Sequence, residues 1–200
     1  MIQQKDKSVL VYRFSALGDI AMIIPVLRSF FKTYPDQKII FVSRNYAKPL
    51  FEEFDNLEFI GVDFDDKYSG IKGLIRLFKI LRKKNVKSIA DLHNVLRTKV
   101  LNFLFKLSLK KVQSIDKGRA DRKKLTRKKN KIFKPLTPIQ YRYCDVFRRL
   151  GFPVDLVNHE YPVKPYLHNN TEEQKLLSFS ENKKIIGIAP FASFEGKSYP

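Results

Sequence analysis

The sequence has one cysteine, Cys144, in 200 residues. A lone thiol cannot close an internal disulfide, and Cys144 has no neighbouring Cys and His at the spacings of a zinc site. A reducing, cytoplasmic setting is expected. Long hydrophobic runs are also missing: nothing approaches the ~18 apolar residues of a membrane span. The first ten residues, MIQQKDKSVL, lack the apolar stretch and small-residue cleavage site of a secretory signal. Any meeting with a membrane is therefore expected to be peripheral and from the cytoplasmic side. Neither G-x-G-x-x-G after the first strand nor G-x-x-x-x-G-K-[ST] occurs, which argues against a dinucleotide enzyme and a P-loop ATPase. Acidic residues are scarce too. Twenty Asp and Glu against 39 Lys and Arg leave a formal charge of +19, which points to a polyanionic partner. Nucleic acid, an anionic membrane surface and phosphorylated substrates all stay open on charge alone.

What the sequence does hold is a 44% hydrophobic composition, ample for a packed core, and an alternation of short β-rich runs with helical patterns. Strands are expected at Ser8 to Phe14, Lys38 to Ser43, Leu57 to Asp63, Val86 to Leu92 and Lys110 to Ile115. Helices are expected between them, at Asp19 to Tyr34, Tyr46 to Phe54, Ser69 to Asn85 and Val95 to Ser108. Strands separated by helical crossovers pair in parallel, so the pattern predicts a Rossmann-like α/β domain. In the third helix Ile71, Leu74, Ile75, Phe78 and Leu81 recur at helical spacing and predict the buried face. Its lysines and arginines then form a solvated basic face, a reading favoured over a membrane-lying helix.

Residues 116–134, DKGRADRKKLTRKKNKIFK, break the periodicity and read as a basic loop. A helix follows, with Thr137 as its N-cap, Pro138 at its first position and Gly151 past its end. Prolines 153, 162 and 165 mark an extended linker, followed by a short helix near Thr171 to Ser178 and the strand-like KKIIGIAP. The expected domains are residues 1–165, a Rossmann-like unit, and 166–200, a linker with the start of a second. The ending SYP places a proline where a helix would begin, and the expectation is that the chain is the front part of a longer protein.

One stretch carries most of the chemical interest. RFSALGDIAMIIP, from Arg13 to Pro25, puts Asp19 straight after a glycine, between strand and helix. In a parallel sheet that loop lies at the carboxyl edge, where ligands bind at the switch point. Asp19 at a helix start can cap free backbone N–H groups, or it can serve as a general base. The residues alone leave both readings open. Capping bonds stabilise the ionised form of any carboxylate, which makes it a weaker base.

Three stretches taken together resemble glycosyltransferase family 9, the lipopolysaccharide heptosyltransferases: RFSALGDIAMIIPVLRSF near the N-terminus, IADLHNVLRT at the end of the fourth strand, and IGIAPFASFEGKSYP near the C-terminus. The resemblance implies the first half of a GT-B fold, two facing Rossmann-like domains, with the acceptor on the first and the donor mainly on the second. It implies a metal-independent, inverting transfer of heptose from the nucleotide sugar ADP-heptose to an anionic lipopolysaccharide inner-core acceptor. No cofactor is implied, and this part of the enzyme is expected to be inactive alone. By residue, it gives Asp19 as general base and Lys197 and Ser193 on the donor diphosphate; Gly18, His93 and Arg97 are expected on the acceptor side, and Arg119, from its place in the basic loop, is expected to contact an acceptor phosphate. The match departs from the family pattern at Met22 and Ile23, at Asn94 in place of a glycine, and at Tyr199 in place of a tryptophan. Asp63, Asp65 and Asp66 also stand where some heptosyltransferases carry basic residues. Two further readings are a nucleic-acid-binding protein and a binding-only relative of the transferases. RADRKKLTRKKNK lacks the interleaved aromatics that stack bases, which counts against the first.

Overall fold

Strand β1, Ser8–Tyr12, is buried along its whole length, and its side chains alternate between two cores. Val9 and Val11 enter one, Leu10 and Tyr12 the other, as the period-2 geometry of a strand covered on both faces requires. The computed structural model describes residues 7–156 of the chain. Four more strands complete a parallel sheet: β2 (Ile39–Arg44), β3 (Leu57–Val62), β4 (Val86–Asp91) and β5 (Lys111–Ser114). Their order is β3-β2-β1-β4-β5. The winding reverses between β1 and β4, so the crevice beyond their carboxyl ends is the switch point. Leu10 pairs with Ile40 on one side and Ile89 on the other, which fixes the register at the centre of the sheet. The chain divides into two compact units, residues 1–161 and 162–200. The second lies outside the described residues, as do Lys197, Ser193, Tyr199 and the strand expected at KKIIGIAP.

On one face of the sheet lie α1 (Leu17–Ala21), α2 (Ile24–Thr33), a 3-10 helix (Asn45–Phe51) and α6 (Ile139–Leu150). Phe30 of α2 is their meeting point: its ring lies 5.1 Å from Phe147 and 5.5 Å from Phe152. Each fully buried aromatic of this kind contributes about 1.5–3 kcal/mol through the area it takes from water. The C-terminus of α6 closes as expected from Gly151. With φ at 97°, Gly151 donates to the Arg148 carbonyl and Phe152 to the Phe147 carbonyl, a Schellman motif whose Phe152 then packs back on the core. At the other end Pro138, not Thr137, is the cap residue, one position later than expected. On the opposite face lie α3 (Gly70–Arg82) and α4 (Leu96–Leu107), joined by an edge-to-face contact between Phe78 and Phe105 at 5.0 Å.

Three sequence expectations need correction. The helix expected over Asp19 to Tyr34 is two helices, because Pro25 has no N–H to continue the ladder and instead occupies the first turn of α2. In α3 the buried face is Gly73, Leu74, Leu77, Phe78 and Leu81, while Ile71 and Ile75 face outward. Gly73 is what shifts the face: its turn lies so close to the Tyr68 backbone that a Cβ there would collide with it. The basic loop is also partly helical. Gly118, at φ 60° with its N–H bonded to Asp116 Oδ1 at 2.8 Å, turns the chain into α5 (Arg119–Thr126). None of the α5 residues is buried, and residues 127–138 have no regular structure.

Candidate functional site

Beyond the carboxyl ends of β1 and β4 the chain builds a small polar cluster around Arg13. Its backbone is gripped by β2, the N–H donating to the Val42 carbonyl at 3.3 Å and the carbonyl accepting from Ser43 Oγ at 2.7 Å. Its side chain spans the switch point. One guanidinium nitrogen donates to the Leu92 carbonyl at 2.6 Å, and the other pairs with Asp19 Oδ2. Tyr143 of α6 lies alongside, with its ring 5.8 Å from the guanidinium and its hydroxyl donating to the Asp19 carbonyl at 3.1 Å. Burial pushes the Tyr143 phenol up to about 12. Between Arg13 and Asp19 the Ser15–Ala16 peptide is cis.

Asp19 is thus not a helix cap. It sits in the first turn of α1, whose cap residue is Ala16, and its carboxylate reaches back to Arg13, making no capping bond. The two partners differ sharply in exposure: the Arg13 side chain is 7% exposed and that of Asp19 49%. A buried cation therefore fixes one carboxylate oxygen, and Oδ1 makes no hydrogen bond among the described residues. Gly18 precedes it on the surface, where a Cβ would meet no protein atom within 4 Å. The absence of a side chain at Gly18 is not demanded by packing; it leaves the approach to Asp19 open.

The other wall is the turn after β4. Asp91 is fully buried and organises it, accepting from the His93 N–H at 2.9 Å, the Asn94 N–H at 2.7 Å, Asn102 Nδ2 at 2.7 Å and Ser114 Oγ at 3.2 Å. Tyr12 donates to Asn102 Oδ1, and burial together with the Asp91 charge raises its phenol well above the ordinary value. Asn94 holds φ at 48°, a left-handed position that glycine and asparagine adopt more readily than other residues. Its Nδ2 donates to the Ile115 carbonyl at 2.9 Å, tying the turn to β5. His93 is buried with Nδ1 accepting from the Phe14 N–H at 3.4 Å and Nε2 3.4 Å from Ser15 Oγ. Burial, then the charges of Arg13 and Lys117, lower its imidazole from 6.5 to about 4. His93 is neutral at physiological pH, and it holds the β1 loop against the β4 loop.

Arg97, the second residue of α4, is exposed and lays its guanidinium over the Phe64 ring at 5.1 Å. Arg119, the first residue of α5, is exposed as well. The structure adds two residues to those predicted. Arg13 was visible only as the basic residue opening its motif, and Lys117 was one cation among many in the basic segment. Lys117 is half-buried and makes no hydrogen bond or ion pair among the described residues; burial, then the charges of Arg119 and Arg13, lower its ammonium below the ordinary value. Asp65, one of the acidic residues after β3, is paired with Arg44 at 2.9 Å. The assembled arrangement is a fixed, half-exposed carboxylate with Arg13 bound to it and Lys117 near it, and with Arg119 next to Lys117. Such a site can take a proton from a substrate that carries negative charge elsewhere.

No family model matches the sequence. The chain is 24% identical over 110 residues to the lipopolysaccharide core heptosyltransferase OpsX of Haemophilus influenzae, a match spanning 55% of this chain and 31% of that protein. Among solved structures, the family 9 glycosyl transferase of Veillonella parvula covers all of this chain and 58% of its own, with a TM-score of 0.67 at 20% identity. The Escherichia coli heptosyltransferase WaaC, solved with ADP-2-deoxy-2-fluoro heptose, matches 79% of this chain and 50% of its own, with a TM-score of 0.50 at 14% identity. The chain thus spans about half the length of these solved structures. The resemblance to family 9 and the Rossmann-like fold read from the sequence are borne out, through a distant relative.

Proposed function

We propose, from this likeness to family 9 glycosyltransferases, that the chain is the acceptor-binding part of an inverting heptosyltransferase, acting on ADP-heptose and a lipopolysaccharide inner-core acceptor. The observation that carries the reading is the Arg13–Asp19 pair at the switch point, with one carboxylate oxygen held and the other exposed. An acceptor hydroxyl attacks the anomeric carbon of the donor from the face opposite the diphosphate. A carbon–oxygen bond forms, the bond to the phosphate oxygen breaks, and its electron pair leaves with ADP. Asp19 Oδ1 takes the hydroxyl proton as that oxygen loses electron density. Arg13 acts through Asp19 as a positioning residue. Lys117 and Arg119 meet the negative charge of the acceptor, Arg97 stands at the same edge of the sheet, and His93 holds the β1 and β4 loops together. Lys197 and Ser193 are assigned to the donor diphosphate by resemblance, where a cation stabilises the leaving charge. Work at the cytoplasmic face of the inner membrane belongs to the same reading.

The test is a transfer assay on the protein in its full natural length, with ADP-heptose and a core-deficient lipopolysaccharide. Asp19→Ala is expected to lower turnover by roughly 10²–10⁴-fold with the fold intact. Unchanged turnover in that variant would remove Asp19 from the chemistry.

A further inference from the structure

The outer surface of α4 is the reverse of what a solvated helix should show. Thr98, Leu101, Asn102 and Phe105 face the core. On the opposite side Leu96, Phe103 and Leu107, seven and four residues apart, form one stripe, exposed to 78%, 62% and 66%. Just past the helix, Leu109 is 94% exposed and has φ at 57°. A left-handed backbone there favours glycine or asparagine, and a leucine bears a steric cost with no packing in return. Alongside lies α3, whose outer side carries Lys72, Arg76, Lys79 and Lys83, with Ile71 and Ile75 on its flank. No Asp or Glu occurs from Lys67 to Ala90 or from Leu92 to Ile115, so both helices are free of acidic residues and the one acid in the connection between them, Asp91, is fully buried.

We propose that this α3–α4 surface docks on an anionic lipid bilayer, with Leu96, Phe103, Leu107 and Leu109 entering the interface and the α3 cations meeting the headgroups. Charge selects the occupant. A second copy of the chain would bring the same acid-free surface against itself, lysine to lysine, whereas an anionic bilayer offers both the apolar depth and the opposite charge. No helix among the described residues is long and apolar enough to cross a membrane; the contact is a surface one. Leu96 stands one residue past the His93–Asn94 turn, after the cap residue Val95, so docking along α4 sets the carboxyl edge of the sheet close to the lipid. This deepens the membrane location within the proposed function by naming the surface that docks, and its test needs neither donor nor acceptor, so the docking and the transfer can fail separately.

The experiment measures sedimentation of the full chain with phosphatidylcholine vesicles, with and without about one-third phosphatidylglycerol. Binding is expected on the anionic vesicles and at least about tenfold weaker on the neutral ones. The triple variant Leu96→Ser/Phe103→Ser/Leu107→Ser keeps every charge and touches only exposed side chains. It is expected to lose at least about tenfold in partitioning. Leu109→Gly, which suits the left-handed backbone, is expected to keep the fold and lose affinity severalfold. The sequence has no tryptophan, so Phe103→Trp supplies the sole tryptophan, whose selectively excited emission brominated lipid should quench. Absence of binding to anionic vesicles overturns the proposal, as does unchanged partitioning of the triple variant or unquenched emission from the Phe103→Trp variant. A wild-type dimer made monomeric by the triple variant would assign the surface to a second copy instead.

Discussion

Replacing Arg13 with methionine separates the two jobs that its guanidinium performs. Methionine fills much of the same volume but makes neither the 2.6 Å bond to the Leu92 carbonyl nor the pair with Asp19. The first loss is of a buried, charge-assisted hydrogen bond, about 1.5–3 kcal/mol. The second is smaller: Asp19 is half-exposed, water screens the pair, and its contribution is at most about 1 kcal/mol. Against these stands a gain. Arg13 Nε is buried without a hydrogen-bond partner, and its removal returns about 1 kcal/mol. The net destabilisation is about 2 kcal/mol, and the loss from Asp19→Ala should be under about 1 kcal/mol, because its partner keeps the Leu92 bond. Urea denaturation of both variants measures the difference. Turnover should fall in both, since Arg13 aims the carboxylate that takes the proton. Equal stability losses, or an Arg13→Met variant as stable as wild type, would refute the view that Arg13 braces the switch point independently of Asp19.

Acid sensitivity should trace to His93. Its imidazole is depressed to about 4 in the folded chain against 6.5 unfolded, so the unfolded state binds the extra proton and stability falls as pH drops from about 6.5 towards 4. Thermal unfolding across that window should show the slope, and His93→Gln should flatten it. Gly73→Ala should cost about 1–3 kcal/mol, because the added Cβ meets the Tyr68 backbone and not a movable side chain; denaturant titration measures it. Cys144 should react slowly with thiol reagents in the native state and promptly in denaturant, since it is buried and its thiol is raised to about 11.

The sequence by itself determined the sheet, the crossovers and the stop of α6, because these follow from local terms: period-2 burial in strands, amphipathic helices and a glycine at a left-handed position. It also placed Asp19 and His93 at strand ends. Whether Asp19 caps or reaches elsewhere was undecidable locally, since both options use the same carboxylate at the same helix turn. Only the tertiary structure decided it, by bringing the Leu92 carbonyl across the sheet to hold the Arg13 guanidinium in reach of Asp19. Lys117 stood out from its basic neighbours only once α5 turned away at Gly118 and left it facing the Arg13 cluster. The periodicity of α3 pointed to Ile71 and Ile75 as core, but close packing at Gly73 rotated them outward. On α4 it could not tell an inward apolar face from an outward one. Local spacing fixes which residues share a face; which face the core takes is fixed by what the rest of the chain packs against it.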